Sequence, residues 1–152
     1  MKIIWSSEYE LGIPVIDGQH QRIVEYINRV QECHGLQDRD QISEVLYSLV
    51  DYTFSHFAFE EALLEEIEFE DLVEHRAAHE GFVTRVDSMK KRYDAGEDVV
   101  LELTKFLQSW LLEHILSDDA SYSEIVKAKM LKIEPHVRKS WIQRATNRFF
   151  LD

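Results

Sequence analysis

Five of the seven histidines in this 152-residue chain stand where a helical pattern calls for apolar side chains. His20 shares a face with Ile23, Ile27 and Val30, and His56 lies on a stripe with Leu49, Thr53, Leu63 and Ile67. His75 and His79 line up with Leu72, Phe82 and Val86, and His114 follows Leu103, Leu107 and Leu111. One histidine in such a place is usually a hydrogen-bonded core residue. Burying five without partners would cost a few kcal/mol each, whereas a metal ion turns the same lone pairs into ligands. His56 and Glu60 are four residues apart, as are His75 and His79, so each pair projects from one helical face. Glu60 interrupts an apolar stripe, where a solvated carboxylate would be out of place. Asp118 and Asp119 follow His114 and supply further oxygen donors. On an ideal helix Asp118 lies about 40° from His114 and Asp119 about 140° away. Helix geometry alone therefore favours Asp118, unless the last turn unwinds or bulges. The zinc-protease pattern is excluded, because His79-Glu80 is followed by Val83 where a second histidine is required.

Four helices are needed to bring these side chains together, and the periodicity predicts them over about 18–35, 40–66, 70–94 and 98–117. Only two prolines and five glycines punctuate the chain, and no stretch alternates with period two. Four helices of similar length joined by short loops predict an all-α fold, an antiparallel up-down-up-down four-helix bundle. An irregular all-α domain fits the same periodicity. Trp5, Tyr9, Leu11, Ile13 and Ile16 predict an N-terminal arm packed along the bundle. After Pro135, Val137, Trp141, Ala145 and Phe149 recur every four residues, with Arg138, Lys139, Arg144 and Arg148 on the remaining surface. That is the pattern of a short amphipathic C-terminal helical extension. The expected organisation is thus a bundle over residues 1–125 and a basic extension over 126–152, packed on the bundle.

Composition narrows the possible functions. The length fits one domain, and 45% hydrophobic residues provide for a core. No apolar run approaches the ~18 residues of a spanning helix, so no membrane role is expected. The N-terminus lacks the apolar run of a signal peptide, which predicts a cytoplasmic protein. The single cysteine, Cys33, excludes an intramolecular disulfide and a paired-cysteine zinc site. A net charge of −12 argues against nucleic acid as a partner. The charge is uneven: residues 1–125 hold 10 Lys and Arg against 27 Asp and Glu, and residues 126–152 hold 7 against 2. The basic tail is therefore expected to dock on the acidic body or on an acidic protein partner.

Taken in order, the motif reads His20 within Asp-Gly-Gln-His-Gln, then His56-Phe-Ala-Phe-Glu60, His75-Arg-Ala-Ala-His79 and His114-Ile-Leu-Ser-Asp-Asp119. This resembles the hemerythrins, and most closely their single-domain bacterial members, over roughly residues 5–125. The bundle fold is itself associated with that family. The resemblance implies a non-haem diiron centre, two iron ions per chain with a bridging oxo or hydroxo group. It places the aspartate ligand at Asp119. It implies one iron held by His75, His79 and His114 and the other by His20 and His56, with Glu60 and Asp119 bridging. Counting ligands then leaves one open position, on the iron of His20 and His56. The nitrogen-rich set also differs from carboxylate-rich diiron oxidases, whose Glu-x-x-His pattern occurs nowhere in the chain.

By resemblance, Trp110 and Leu111 line the oxygen cavity, Phe57 joins them by its position after His56, and Tyr122 supports the bridging glutamate. The implied function is reversible O2 binding for storage, transport or delivery, with no enzymatic turnover. The alternative is an oxygen- or redox-sensing module that uses the C-terminal tail as its output; peroxide or nitric oxide turnover ranks third. His34 and His136 fall outside the motif; His34, at a polar loop, is expected to be solvated, and Cys33 to be an inert thiol.

Overall fold

In the computed structural model, residues 2–150 are described, without the side chain of Asp118. The chain is helical throughout its described elements. Helix α1 spans Pro14–Gly35, α2 Arg39–Glu66, α3 Leu72–Asp94 and α4 Val100–His114. A five-residue π-helical turn, Ile115–Asp119, joins α4 to α5, Ala120–Leu131. Helix α6 spans Pro135–Phe150. The main contacts run α1–α2, α2–α3, α3–α4 and α4–α1, which closes the ring of an up-down-up-down four-helix bundle.

Local chemistry sets the ends of the rods. Pro14 opens α1, where its missing N–H costs nothing. Asp17 in the first turn accepts from the N–H groups of Leu11 at 2.8 Å and Gly12 at 3.1 Å, folding the arm back onto the helix. Gly12 makes that bend at φ +83°, and a Cβ there would lie 3.1 Å from Lys127 Nζ. Farther out, Asn28 clamps the arm through both backbone groups of Ile3, at 2.8 and 2.9 Å. Asp38 caps α2 by accepting from the Gln41 N–H at 3.1 Å.

The fourth rod outruns its expected end near residue 117. Between Gly96 and Pro135 there is neither glycine nor proline, so nothing stops the helix after the motif, and α4, the π turn and α5 form one continuous rod. The chain around residue 126 lies within α5, which ends at Leu131; a short turn over 132–134 then leads to Pro135 at the start of α6.

Apolar side chains of the stripes fill the bundle, with Ile16, Ile27, Leu46, Leu64, Leu103 and Ile115 fully buried. Helix α6 packs outside the ring, against α2. Its Trp141 meets Phe59 edge-on at 5.9 Å, and Phe150 approaches Phe59 at 6.1 Å and Tyr52 at 4.9 Å. Ala145 is buried beneath it, whereas Val137, at the start of the expected stripe, is exposed. No helix of the described residues is long and apolar enough to cross a membrane.

Candidate metal centre

The four rods each send their polar intruders to one place inside the bundle. His20 comes from α1, His56 and Glu60 from α2, His75 and His79 from α3, His114 from α4 and Asp119 from the π turn. All seven are buried. Their donor atoms form two overlapping groups, each with every member within 4.8 Å of the others. One group is Glu60, His75, His79 and His114; the other is His20, His56, Glu60 and Asp119.

The two carboxylates divide their oxygens between the histidine sets. Glu60 Oε1 contacts His75 Nε2 and lies 3.1 Å from His79 Nε2 and 3.8 Å from His114 Nε2. Its Oε2 lies 3.4 Å from His56 Nε2 and 3.9 Å from His20 Nε2. Asp119 repeats the pattern: Oδ1 is 2.9 Å from His114 Nε2 and 3.3 Å from His75 Nε2, and Oδ2 is 3.0 Å from His20 Nε2. Each carboxylate thus spans a three-histidine set and a two-histidine set.

The π turn is what admits Asp119. Hydrogen bonds from i to i+5 widen one turn by a residue, so the fifth residue after His114 takes the place that the fourth would hold on an α-helix. This brings Asp119 into the cluster although ideal-helix geometry favours Asp118, whose side chain lies outside the described residues.

These residues fit a pair of metal ions by a simple test of satisfaction. His20 Nδ1 and Nε2, His56 Nε2 and both Asp119 oxygens are buried without a hydrogen-bond partner. Nitrogen and carboxylate oxygen converge at 3 Å in several pairs without hydrogen-bond alignment, an expensive arrangement in a dry interior and a natural one around cations. Protonation shows the same imbalance. Burial alone would raise the Glu60 carboxyl, yet His114, His75 and His79 hold it well below its usual range. Asp119 is likewise held low against burial and Glu60, mainly by His114. In return, and against burial, Asp119 and Glu60 push His75 up to about 9 and His114 up to about 11. Burial presses His56 down to about 3. The two buried carboxylates thus favour positive charge on His75 and His114, the charge that bound cations would supply instead.

Surrounding groups orient the donors. Fully buried Tyr122 donates its hydroxyl to Glu60 Oε2 at 3.0 Å. Burial, followed by the Asp119 and Glu60 charges, raises the Tyr122 hydroxyl well above its usual value, so it stays a donor. The sequence reading missed two partners. Gln19 Oε1 lies 2.7 Å from His56 Nδ1, and Glu61 Oε2 lies 2.9 Å from His79 Nδ1. Gln19 left a signal, as an amide in line with Ile23 and Ile27 on the apolar stripe of α1; Glu61, one glutamate among many, left none.

The residues expected around an oxygen cavity fall mainly beside the three-histidine set. Phe57 stacks on His79 at 3.9 Å and 12°, and Trp110 stacks on His114 at 4.4 Å and 17°. Phe57 also approaches His56, at 5.8 Å. Leu111 is buried one turn before His114. Outside the cluster, His34 lies 3.6 Å from Asp98, His136 is exposed and Cys33 is a buried free thiol.

Comparison with known proteins agrees with this geometry. The Hemerythrin HHE cation binding domain matches residues 11–126. A bacteriohemerythrin of Pseudomonas aeruginosa (strain LESB58) is 41% identical over 149 residues, covering 97% of each chain. One from Clostridium acetobutylicum is 32% identical over 125 residues, which is 78% of this chain and 97% of that protein. A crystal structure of wild-type hemerythrin superposes with a TM-score of 0.79 at 26% identity, covering 83% of this chain and 98% of that one. With family match, relatives, fold and buried donor set in agreement, the chain belongs to the hemerythrin family.

Proposed function

We propose that this protein binds O2 reversibly at a non-haem diiron centre and serves storage or delivery in the cytoplasm, without net turnover. The observation that carries this reading is the division of Glu60 and Asp119 oxygens between a three-histidine and a two-histidine set. When bound, an iron pair supplies the electrons that O2 capture requires and recovers them on release. The rest is done by the chain. His75, His79 and His114 give one position three nitrogens, and His20 and His56 give the other only two. With both carboxylates shared, the two-histidine position is the less saturated by the protein and the one where a small ligand fits. Tyr122 fixes Glu60 from behind. Beside the three-histidine set, Phe57, Trp110 and Phe82 pack as apolar surface against His79 and His114, with Leu111 buried one turn before His114, which limits the water that would promote irreversible oxidation.

The test is iron analysis combined with optical spectra, first anaerobic and then aerated. A carrier shows a reversible charge-transfer band and stoichiometric O2 uptake. Steady consumption of oxygen, peroxide or nitric oxide by protein supplied with a reductant would establish an enzyme instead.

A second reading, a sensor whose output is the C-terminal helix, draws on one observation. Trp141 and Phe150 of α6 pack on Phe59, the neighbour of Glu60 in α2. The same segment would then carry an acidic protein partner on its basic face. Removing residues 134–152 tests it: unchanged oxygen affinity and unchanged partner binding would dispose of the sensor.

A further inference from the structure

The two histidine sets are buttressed by partners of different charge. On the two-histidine side, His56 Nδ1 meets the neutral amide of Gln19 at 2.7 Å. On the three-histidine side, His79 Nδ1 meets the carboxylate of Glu61 at 2.9 Å. A carboxylate can only accept there, so Nδ1 carries a hydrogen and Nε2 is the nitrogen presented to the cluster, 3.1 Å from Glu60 Oε1. Glu61 is itself held in place. Arg76, next in sequence to His75, donates to Glu61 Oε1 at 3.2 Å and also reaches Glu65 at 3.3 Å. A surface recess of about 460 Å³, lined by Phe54, Phe57, Glu61, His79, Glu80 and Val83 among others, opens on this edge of the imidazole. Water would compete for Nδ1 there if the carboxylate did not occupy it.

We propose that Glu61 is a positioning residue that makes His79 a more electron-donating imidazole than His56. Glu61 sets the tautomer and ring orientation of His79 and, through the shared hydrogen, raises its basicity as a ligand. Gln19 orients His56 without adding charge. The three-histidine position is thereby biased toward the oxidised metal, and the centre is electronically asymmetric beyond its unequal ligand count. This inference rests on reading the cluster as a metal centre, but its first measurement needs neither iron nor oxygen.

Wild-type protein, Glu61→Gln, Glu61→Ala and the control Glu65→Gln are compared in Co2+ affinity by chelator competition, and in midpoint potential after iron loading. Glu61→Ala is expected to weaken Co2+ binding by about 10–100-fold. Glu61→Gln keeps an acceptor of the same shape and should lose less affinity, yet both variants should have a more positive midpoint potential. Glu65→Gln removes an equal charge from the same Arg76 without touching a histidine and should match the wild type in both measurements. Wild-type affinity and potential in both Glu61 variants would overturn the proposal. So would an equal shift in Glu65→Gln, which would make the effect one of surface charge rather than contact. Iron-loaded wild type that takes up no O2 would remove the oxygen-binding reading, while the Co2+ comparison would still decide the role of Glu61.

Discussion

At the residue scale the centre turns on Glu60, whose two oxygens serve different histidine sets while Tyr122 donates to one of them. Replacing Tyr122 with phenylalanine leaves buried Oε2 short of its hydroxyl donor. Unfolding of the Tyr122→Phe protein in urea should show a loss of about 1–3 kcal/mol. His75 touches both carboxylates. His75→Ala is expected to remove most of the bound iron, measured per chain after reconstitution, and a full complement retained would refute the ligand set. Leu111 is a different kind of residue, a buried apolar side chain that holds no metal. Truncating it to alanine should open space for water and speed autoxidation of the iron-loaded protein; an unaltered rate would place the oxygen pocket elsewhere.

At the scale of elements, the π turn converts a spacing of five into a shared face. Its Leu116 is exposed, so it contributes register rather than packing. Deleting Leu116 should let an ordinary α-helical turn present the Asp119 carboxylate four residues after His114, with the flanking helices in place. Iron content close to wild type is the expected outcome; loss of the metal would show that the wide turn does more than count residues. Helix α6 plays a different part. It covers Phe59, which is fully buried although α2 turns Glu60 inward beside it. Trp141→Ala should cost about 1–3 kcal/mol through lost aromatic burial, read from chemical denaturation.

For the whole molecule, the balance of charge inside the bundle couples folding to pH. In metal-free protein His75 is raised from an ordinary 6.5 to about 9. Its contribution to stability is full below 6.5 and disappears as pH rises through about 9. His56 acts in the opposite sense. Its value is pressed to about 3, so the unfolded chain takes up its proton first and stability falls as pH drops from 6.5 toward 3. These two groups place the optimum of the chelated protein near neutrality. The loaded protein has its imidazoles deprotonated by the metal and should lack the alkaline loss. Thermal melts at pH 7 and pH 9.5, with and without a chelator, check both halves. Charge also organises the exterior, where Arg144 and Arg148 of α6 share a recess of about 610 Å³ with Glu65, Glu66 and Glu68.

Much of this was legible in the linear chain, because helical periodicity is local. The spacing of His56 from Glu60 and of His75 from His79 is set by 3.6 residues per turn, whatever the rest of the protein does. The same holds for the apolar stripes that predict four packed rods and for the amphipathic stretch after Pro135. Other facts exist only once the rods meet. Asp119 reaches the centre through a π turn, a departure from the 3.6-residue spacing that helical periodicity alone does not give. Gln19 and Glu61 find His56 and His79 from 37 and 18 positions away. The stacking of Trp110 and Phe57 beside the three-histidine set likewise depends on how α2, α3 and α4 settle against one another. Sequence determined which atoms could bind metal; tertiary packing decided which oxygen faces which nitrogen, since that depends on distances between chain segments rather than along them.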